Sequence, residues 1–131
     1  MRRVGTILLA LASIFLILLG IFHEGSPDDL HFLFSALFFI LFMMGISHYA
    51  VAMWRNPRYG HVSGILSVLA SGLALVFIVA VVVDGLSSEP MAGGAVSNVL
   101  EHLTVFAGLA WAVWTASRLY RMRDAAAPGA D

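Results

Sequence analysis

Four long apolar runs dominate the chain and constrain its fold more than any other feature. They cover residues 4–22, 30–54, 62–83 and 99–120 of a 131-residue sequence. As a helix rising about 1.5 Å per residue, each run is long enough to cross roughly 30 Å of hydrocarbon. Because backbone N–H and C=O groups find no water inside a bilayer, helices are favoured despite the many β-branched residues. The runs therefore predict an all-α integral membrane protein.

The composition agrees with this class. Hydrophobic residues make up 60% of the chain and charged residues 11%, whereas soluble domains are about half apolar and about a quarter charged. A core this small cannot bury so much apolar surface, so lipid must solvate part of it. The sequence has no cysteine, which excludes disulfides, thiolate metal sites, iron–sulfur clusters and a cysteine nucleophile. It also has no lysine, which excludes Schiff-base chemistry.

Glycine, proline and capping residues separate the runs. Gly25 suits the position after a first helix, and Ser26-Pro27 suits the start of a second. Asn56-Pro57 marks the start of a third helix, and Asn98 with Glu101 forms a capping box for a fourth. We therefore predict one domain over residues 1–123, with helices at about 4–23, 27–55, 57–84 and 98–123, and a disordered cytoplasmic tail over 124–131.

All seven basic residues fall on one side of these helices. They are Arg2, Arg3, Arg55, Arg58, Arg118, Arg121 and Arg123, and the two connections on the other side contain none. The positive-inside rule therefore predicts an antiparallel four-helix transmembrane bundle in the cell membrane, with both termini cytoplasmic. The run after Arg3 is longer than the apolar region of a signal peptide and lacks a small-x-small cleavage site, so we expect it to be retained.

Histidines and acidic residues gather on the predicted outer side. His31 and His102 fall at matching depth, roughly 6–7 Å inside the starts of helices two and four. With His23 as a further nitrogen ligand and Glu24 or Glu101 as oxygen ligand or base, they predict a divalent-metal or proton-handling site. Two histidines at one depth are also a ligand pair for haem.

The same residues have an ordinary interpretation. Glu24 lies at the interface, where a charge costs little, and Glu101 is explained as an acid at a helix start. The His-Glu-x-x-His spacing of zinc proteases is absent from the sequence. We therefore expect no catalytic residue and no cofactor, with a divalent metal as the alternative.

Small residues recur at helical spacing in the last two helices. They are Ser63, Ser67 and Ser71 in the third, and Gly108, Ala112 and Ala116 in the fourth. Such residues let helices approach closely, either inside the bundle or between copies of the protein. Trp54, Trp111 and Trp114 fall toward the predicted cytoplasmic half, partly as an aromatic belt.

Short motifs at the helix junctions carry a family resemblance. They are Gly20-Ile21-Phe22-His23-Glu24-Gly25, then His31 opening a Phe-rich helix, and Glu101 followed by Trp114 and Arg118-Leu119. These motifs resemble the uncharacterised integral-membrane family catalogued as domain of unknown function 998. His23 stands where that family usually has proline, and members typically have six helices, so the chain resembles the last four. The resemblance implies no activity, because the family has none assigned.

The sequence favours a non-enzymatic multi-pass membrane protein. We expect a module that binds lipid or a small ligand, or a subunit that assembles with itself or with a partner membrane subunit supplying further helices. Nothing in the sequence resembles a nucleic-acid-binding surface. The alternative is a small metal- or proton-handling protein, an enzyme or ion conductor, that uses the outer histidines and carboxylates.

Overall fold

The computed structural model describes residues 2–22, 30–56, 59–87 and 95–124, and four helices account for nearly all of them. The helices are α1 (Arg2–Ile21), α2 (Leu30–Trp54), α3 (Gly60–Leu86) and α4 (Ala95–Asp124). Each contains a stretch that is long and apolar enough to cross a membrane. The prediction of an all-helical chain with four candidate membrane spans is confirmed.

The helix ends differ from the predicted ones by a few residues. α4 begins at Ala95, so Asn98 lies inside the helix and the predicted capping box at this residue is wrong. A tertiary contact lies at this earlier start, where the hydroxyl of Ser97 donates a hydrogen bond to the carboxylate of Asp84. This bond holds the first turn of α4 against the end of α3, which itself continues to Leu86. The predicted start of the second helix at Ser26-Pro27 and the tail after residue 124 lie outside the described residues.

Consecutive helices pack against each other, α1 on α2, α2 on α3 and α3 on α4. The first pair is in close contact at Gly45, where an added Cβ would lie 2.8 Å from the side chain of Leu9. A glycine at this position therefore lets a leucine of the neighbouring helix lie against the backbone. The hydroxyls of Thr6 and Tyr49 share a hydrogen bond of 2.8 Å across the same pair.

Two clusters of buried side chains form the core. The first contains Ala12, Phe38, Phe39 and Phe77, and the second contains Ile46, Ala70 and Trp111. In the first cluster the ring centroids of Phe39 and Phe77 lie 4.5 Å apart, in an edge-to-face arrangement. The outward faces expose large apolar side chains such as Ile17, at 65% exposure. Such a surface is stable in lipid rather than in water.

Candidate functional site

A cavity of about 810 Å³ lies between α2, α3 and α4. Its polar lining comes from the first two to three turns of α2 and α4, namely His31, Ser35, Ser97, Asn98, Glu101 and His102. Its apolar lining is Phe32, Ala36, Phe39 and Ile40 from α2, and Phe77, Ile78, Val81 and Val82 from α3. Residues 36–40 lie about 9–15 Å along α2 from its first described residue, at 1.5 Å per residue. The polar lining residues are therefore confined to the starts of α2 and α4, where Phe32 and Val82 add apolar surface, and the deepest lining residues, Phe39, Ile40 and Phe77, are apolar.

His31 is held by the end of α1. Its Nδ1–H donates a hydrogen bond of 2.8 Å to the carbonyl of Phe22. Because a carbonyl oxygen only accepts, Nδ1 carries the hydrogen, and Nε2 of the neutral ring keeps a lone pair. The ring of Phe22 also packs on Phe34, with centroids 5.3 Å apart, which fixes this junction further.

His102 also has Nε2 as its acceptor nitrogen, but its Nδ1–H is bound within its own helix. Its Nδ1–H donates a hydrogen bond of 2.8 Å to the carbonyl of Asn98, one turn earlier in α4. The hydrogen is again assigned to Nδ1, so the neutral ring has its lone pair on Nε2. Both histidines that line the cavity therefore offer an acceptor nitrogen.

Glu101 gives the cavity its charge. The residue is half-buried, and it forms no hydrogen bond or ion pair with any other residue that the structure describes. Its neighbours in the lining are the two imidazoles, the hydroxyls of Ser35 and Ser97, and the amide of Asn98. None of the described lining residues is an arginine. Among the described residues, the lining thus combines one carboxylate with several hydrogen-bond acceptors and no permanent cation.

Three of the five predicted site residues line this one cavity: His31, Glu101 and His102. The other two, His23 and Glu24, lie outside the described residues. Across residues 2–22, 30–56, 59–87 and 95–124, no three His, Asp or Glu side chains lie close enough together to hold a metal ion. Within the described part of the chain, therefore, the predicted metal ligands His31 and His102 belong to no three-ligand group of this kind.

The sequence analysis missed Ser35 and the apolar wall of the cavity. The sequence did indicate two of these residues, because Ser35 and Phe39 follow His31 at intervals of four and so share its face of α2. The wall from α3 carried no such signal, since residues 76–83 are apolar on every face. Which of these side chains meets the cavity depends on the rotation of α3 against its neighbours.

A second, smaller cavity of about 280 Å³ lies between α1, α2 and α4. Its lining is apolar apart from Ser13 and the indole of Trp111. No titratable side chain lines it within the described residues, so it offers no acid, base or metal ligand.

Comparison with known proteins gives one finding. A family model with the description "Protein of unknown function (DUF998)" matches residues 1–118 of the chain. No curated protein and no solved structure matches it. The matched span includes all the residues that line the larger cavity. The family resemblance read from the helix junctions is confirmed.

Proposed function

Because this chain belongs to the DUF998 family, whose description assigns no function, we propose a function from its own geometry: it binds an amphiphile in the cavity between α2, α3 and α4. The distribution of polar side chains in the cavity carries this proposal, because all of them lie near the starts of α2 and α4, whereas the lining residues farthest from those ends, Phe39, Ile40 and Phe77, are apolar. A lipid or other amphiphile has a matching distribution, with a polar head group and an apolar tail. Ligand pockets have volumes of about 300–1,000 Å³, and the cavity of about 810 Å³ falls in that range.

In this proposal the helices form an antiparallel four-helix bundle with both termini in the cytoplasm. Side-chain contacts support it, because early residues of one helix meet late residues of the next. Leu9 meets Gly45, Phe39 meets Phe77, and Ser63 meets Trp114. The arginines support the orientation through the positive-inside rule. The polar part of the cavity would then lie at the level of the outer lipid head groups.

We propose binding rather than catalysis at this site. A catalytic acid or base has to lie within hydrogen-bond reach of the group whose proton it moves. Here Nδ1–H of both histidines donates to backbone carbonyls, and Glu101 contacts no described side chain through a hydrogen bond or ion pair. These groups are arranged as separate acceptors around a space.

The second candidate is a metal- or proton-handling site on the same side chains. It is favoured because both imidazoles donate their Nδ1–H to a backbone carbonyl, which leaves Nε2 of His31 and His102 as ligand or proton acceptor. A metal requires its nitrogen and oxygen ligands to meet at one point, about 2.0–2.2 Å from each. The amphiphile is the preferred ligand because it does not require that convergence.

We also propose that the chain assembles in the membrane, with itself or with a partner membrane subunit. Support comes from α1, which packs on α2 through one stripe and exposes the rest, including Ile7, Ile14 and Ile17. Lipid covers these residues in a monomer, and another helix would cover them in an assembly. The mass of the protein–detergent particle tests this; a monomer at all protein concentrations would contradict it.

Photolabelling in lipid nanodiscs tests amphiphile binding. A dodecyl amphiphile with a diazirine in its tail is photolysed in the bilayer, and labelled peptides are mapped with and without excess unlabelled amphiphile. We expect saturable labelling of residues 36–40 and 77–82, reduced in Ala36→Phe, whose ring takes up space inside the cavity. Val113→Phe is the matched control, because it adds the same ring on an outward face of α4.

Two results would overturn the proposal. One is labelling of these segments that unlabelled amphiphile does not compete, and the other is unchanged labelling in a folded Ala36→Phe protein. Elemental analysis of the same samples tests the second candidate. One equivalent of metal that disappears in His31→Ala and His102→Ala would favour the metal site.

A further inference from the structure

We infer that the cavity between α2, α3 and α4 selects amphiphiles whose head group is an ammonium ion, with Glu101 as its counter-ion. The inference rests on the proposed function of the cavity and adds the chemical class of the ligand. It is carried by the acceptors at the polar end, which are a carboxylate and two imidazole nitrogens.

The carboxylate of Glu101 is the strongest electrostatic feature of the cavity. It is half-buried on α4, and the described residues supply it with no hydrogen bond or ion pair. A charge that is withdrawn from water needs a partner to offset its desolvation. Since no arginine is among the described lining residues, the ligand itself is the natural source of positive charge.

The two histidines also favour an ammonium head group. The Nδ1–H of His31 donates to the carbonyl of Phe22, and that of His102 donates to the carbonyl of Asn98. Each neutral ring therefore offers only an acceptor to the cavity. A primary ammonium group has three N–H donors and no acceptor. It can therefore donate to Glu101 and to the two imidazoles, whereas an anionic head group finds only weak donors in the hydroxyl of Ser35 and the amide of Asn98, since the hydroxyl of Ser97 already donates to Asp84.

An organic cation fits this arrangement better than a metal ion. A metal draws its ligands to a single point at about 2.0–2.2 Å, and no three His, Asp or Glu side chains of the described residues are grouped in that way. The donors of an ammonium group point in different directions and reach acceptors at about 2.7–2.9 Å. An ammonium group can therefore use acceptors that do not converge on one point, and the apolar lining residues, among them Phe39 of α2 and Ile78 of α3, suit its alkyl chain.

A head-group series with one fixed tail tests the inference. Dodecylammonium, dodecylphosphocholine, dodecyl maltoside and dodecyl sulfate compete with the photolabel in nanodiscs, and ethanolamine serves as a head group without a tail. We expect dodecylammonium to compete at least about tenfold better than the maltoside, as for a hydrogen bond to a charged group. Glu101→Gln should remove that preference and leave the competition by the maltoside unchanged.

Two variants control for charge and for folding. Asp84→Asn removes a carboxylate at the end of α3 but keeps an acceptor for Ser97, and Asp84 is not among the described lining residues; we expect it to leave the ammonium preference unchanged. If Glu101→Gln fails to fold, the exchange Asn98→Glu with Glu101→Asn moves the carboxylate one turn within the lining. That variant should retain the preference for dodecylammonium.

The outcomes separate this inference from the proposed function. Equal competition by all four dodecyl compounds would overturn the ammonium selectivity and leave amphiphile binding intact. An ammonium preference that survives Glu101→Gln in folded protein would overturn the role of Glu101. Competition by ethanolamine alone at equal concentration would show that a free amine, and not an amphiphile, is the ligand. Absence of saturable labelling with any probe would overturn both proposals.

Discussion

The indole Nε1–H of Trp111 donates a hydrogen bond of 2.7 Å to the hydroxyl of Ser67, and this bond joins α4 to α3 inside the core. Both residues are buried, Trp111 at 6% and Ser67 at 0% exposure. The same arrangement recurs one turn away, where the indole of Trp114 donates to the hydroxyl of Ser63 at 3.1 Å. A small serine thus lets α4 approach closely and also satisfies the buried indole N–H.

Ser67→Ala is expected to destabilise the protein, because it leaves the N–H of Trp111 buried without an acceptor, a loss of about 1–3 kcal/mol. A double-mutant cycle with Trp111→Phe isolates the pair, and we expect a coupling energy of about 0.6–1.7 kcal/mol. Reversible unfolding in mixed micelles measures both values. Ser117→Ala is the control, since that exposed hydroxyl donates only to Val113 of its own helix. Additive effects of the two core substitutions would contradict the assignment.

Gly108→Ala is expected to destabilise the contact between α4 and α2. A Cβ at this position would lie 2.8 Å from Cε1 of Phe42 and closer still to Cζ, so the ring has to move. Overpacking of this kind costs about 1–3 kcal/mol. Gly72→Ala is the matched control, because nothing lies within 4 Å of its added Cβ, and it should be neutral or stabilising by up to about 1 kcal/mol. If Phe42 causes the loss, Phe42→Leu should restore stability in Gly108→Ala; failure to do so would contradict this explanation.

The number and the approximate spans of the helices were predictable, because a bilayer imposes its thickness on every spanning segment. The helix ends were less so. The first turn of α4 is bonded to α3 through Ser97 and Asp84, thirteen positions apart in the sequence, and local capping signals do not include such a contact. Trp111 was interpreted partly as a residue of the interface belt, but its indole is buried against Ser67. The spacing of small residues in the sequence singled out Ser67 but did not show that Trp111 is its partner.

The candidate site was predictable only where its residues carry chemistry. His31, Glu101 and His102 were singled out as costly groups near a membrane interface, and all three line one cavity. The hydrogen bond from His31 to the carbonyl of Phe22 was not predictable, because it joins α2 to the residue that follows α1. The apolar wall was not predictable either, since in an all-apolar helix such as α3 no pattern distinguishes a lipid-facing residue from one that faces a cavity.

Thr115→Val is expected to stabilise the protein or leave it unchanged. The hydroxyl of Thr115 is buried and has no hydrogen-bond partner among the described residues, and valine has the same shape without that polar atom. Burying an unpaired hydroxyl costs about 1–3 kcal/mol, so we expect a gain of up to about 1 kcal/mol after relaxation. Thr104→Val is the matched comparison, because that buried hydroxyl donates to the carbonyl of Leu100 at 2.7 Å. It should lose about 0.5–1.5 kcal/mol, and the reverse order of the two variants would contradict this prediction.

The absence of cysteine makes the proposed orientation directly testable. Single cysteines are introduced as Asn56→Cys, which lies between α2 and α3, and as Ser88→Cys, which lies between α3 and α4, and all seven arginines are kept. With both termini cytoplasmic, a membrane-impermeant maleimide should label residue 88 in intact cells and residue 56 only after permeabilisation. The reason is that the positive-inside rule keeps the arginine-containing side of the protein in the cytoplasm. Val113→Cys is the control for a thiol in hydrocarbon, since this side chain lies on the outward face of α4 and a thiolate does not form in lipid. Labelling of residue 56 in intact cells would reverse the orientation and move the polar end of the cavity to the cytoplasmic side.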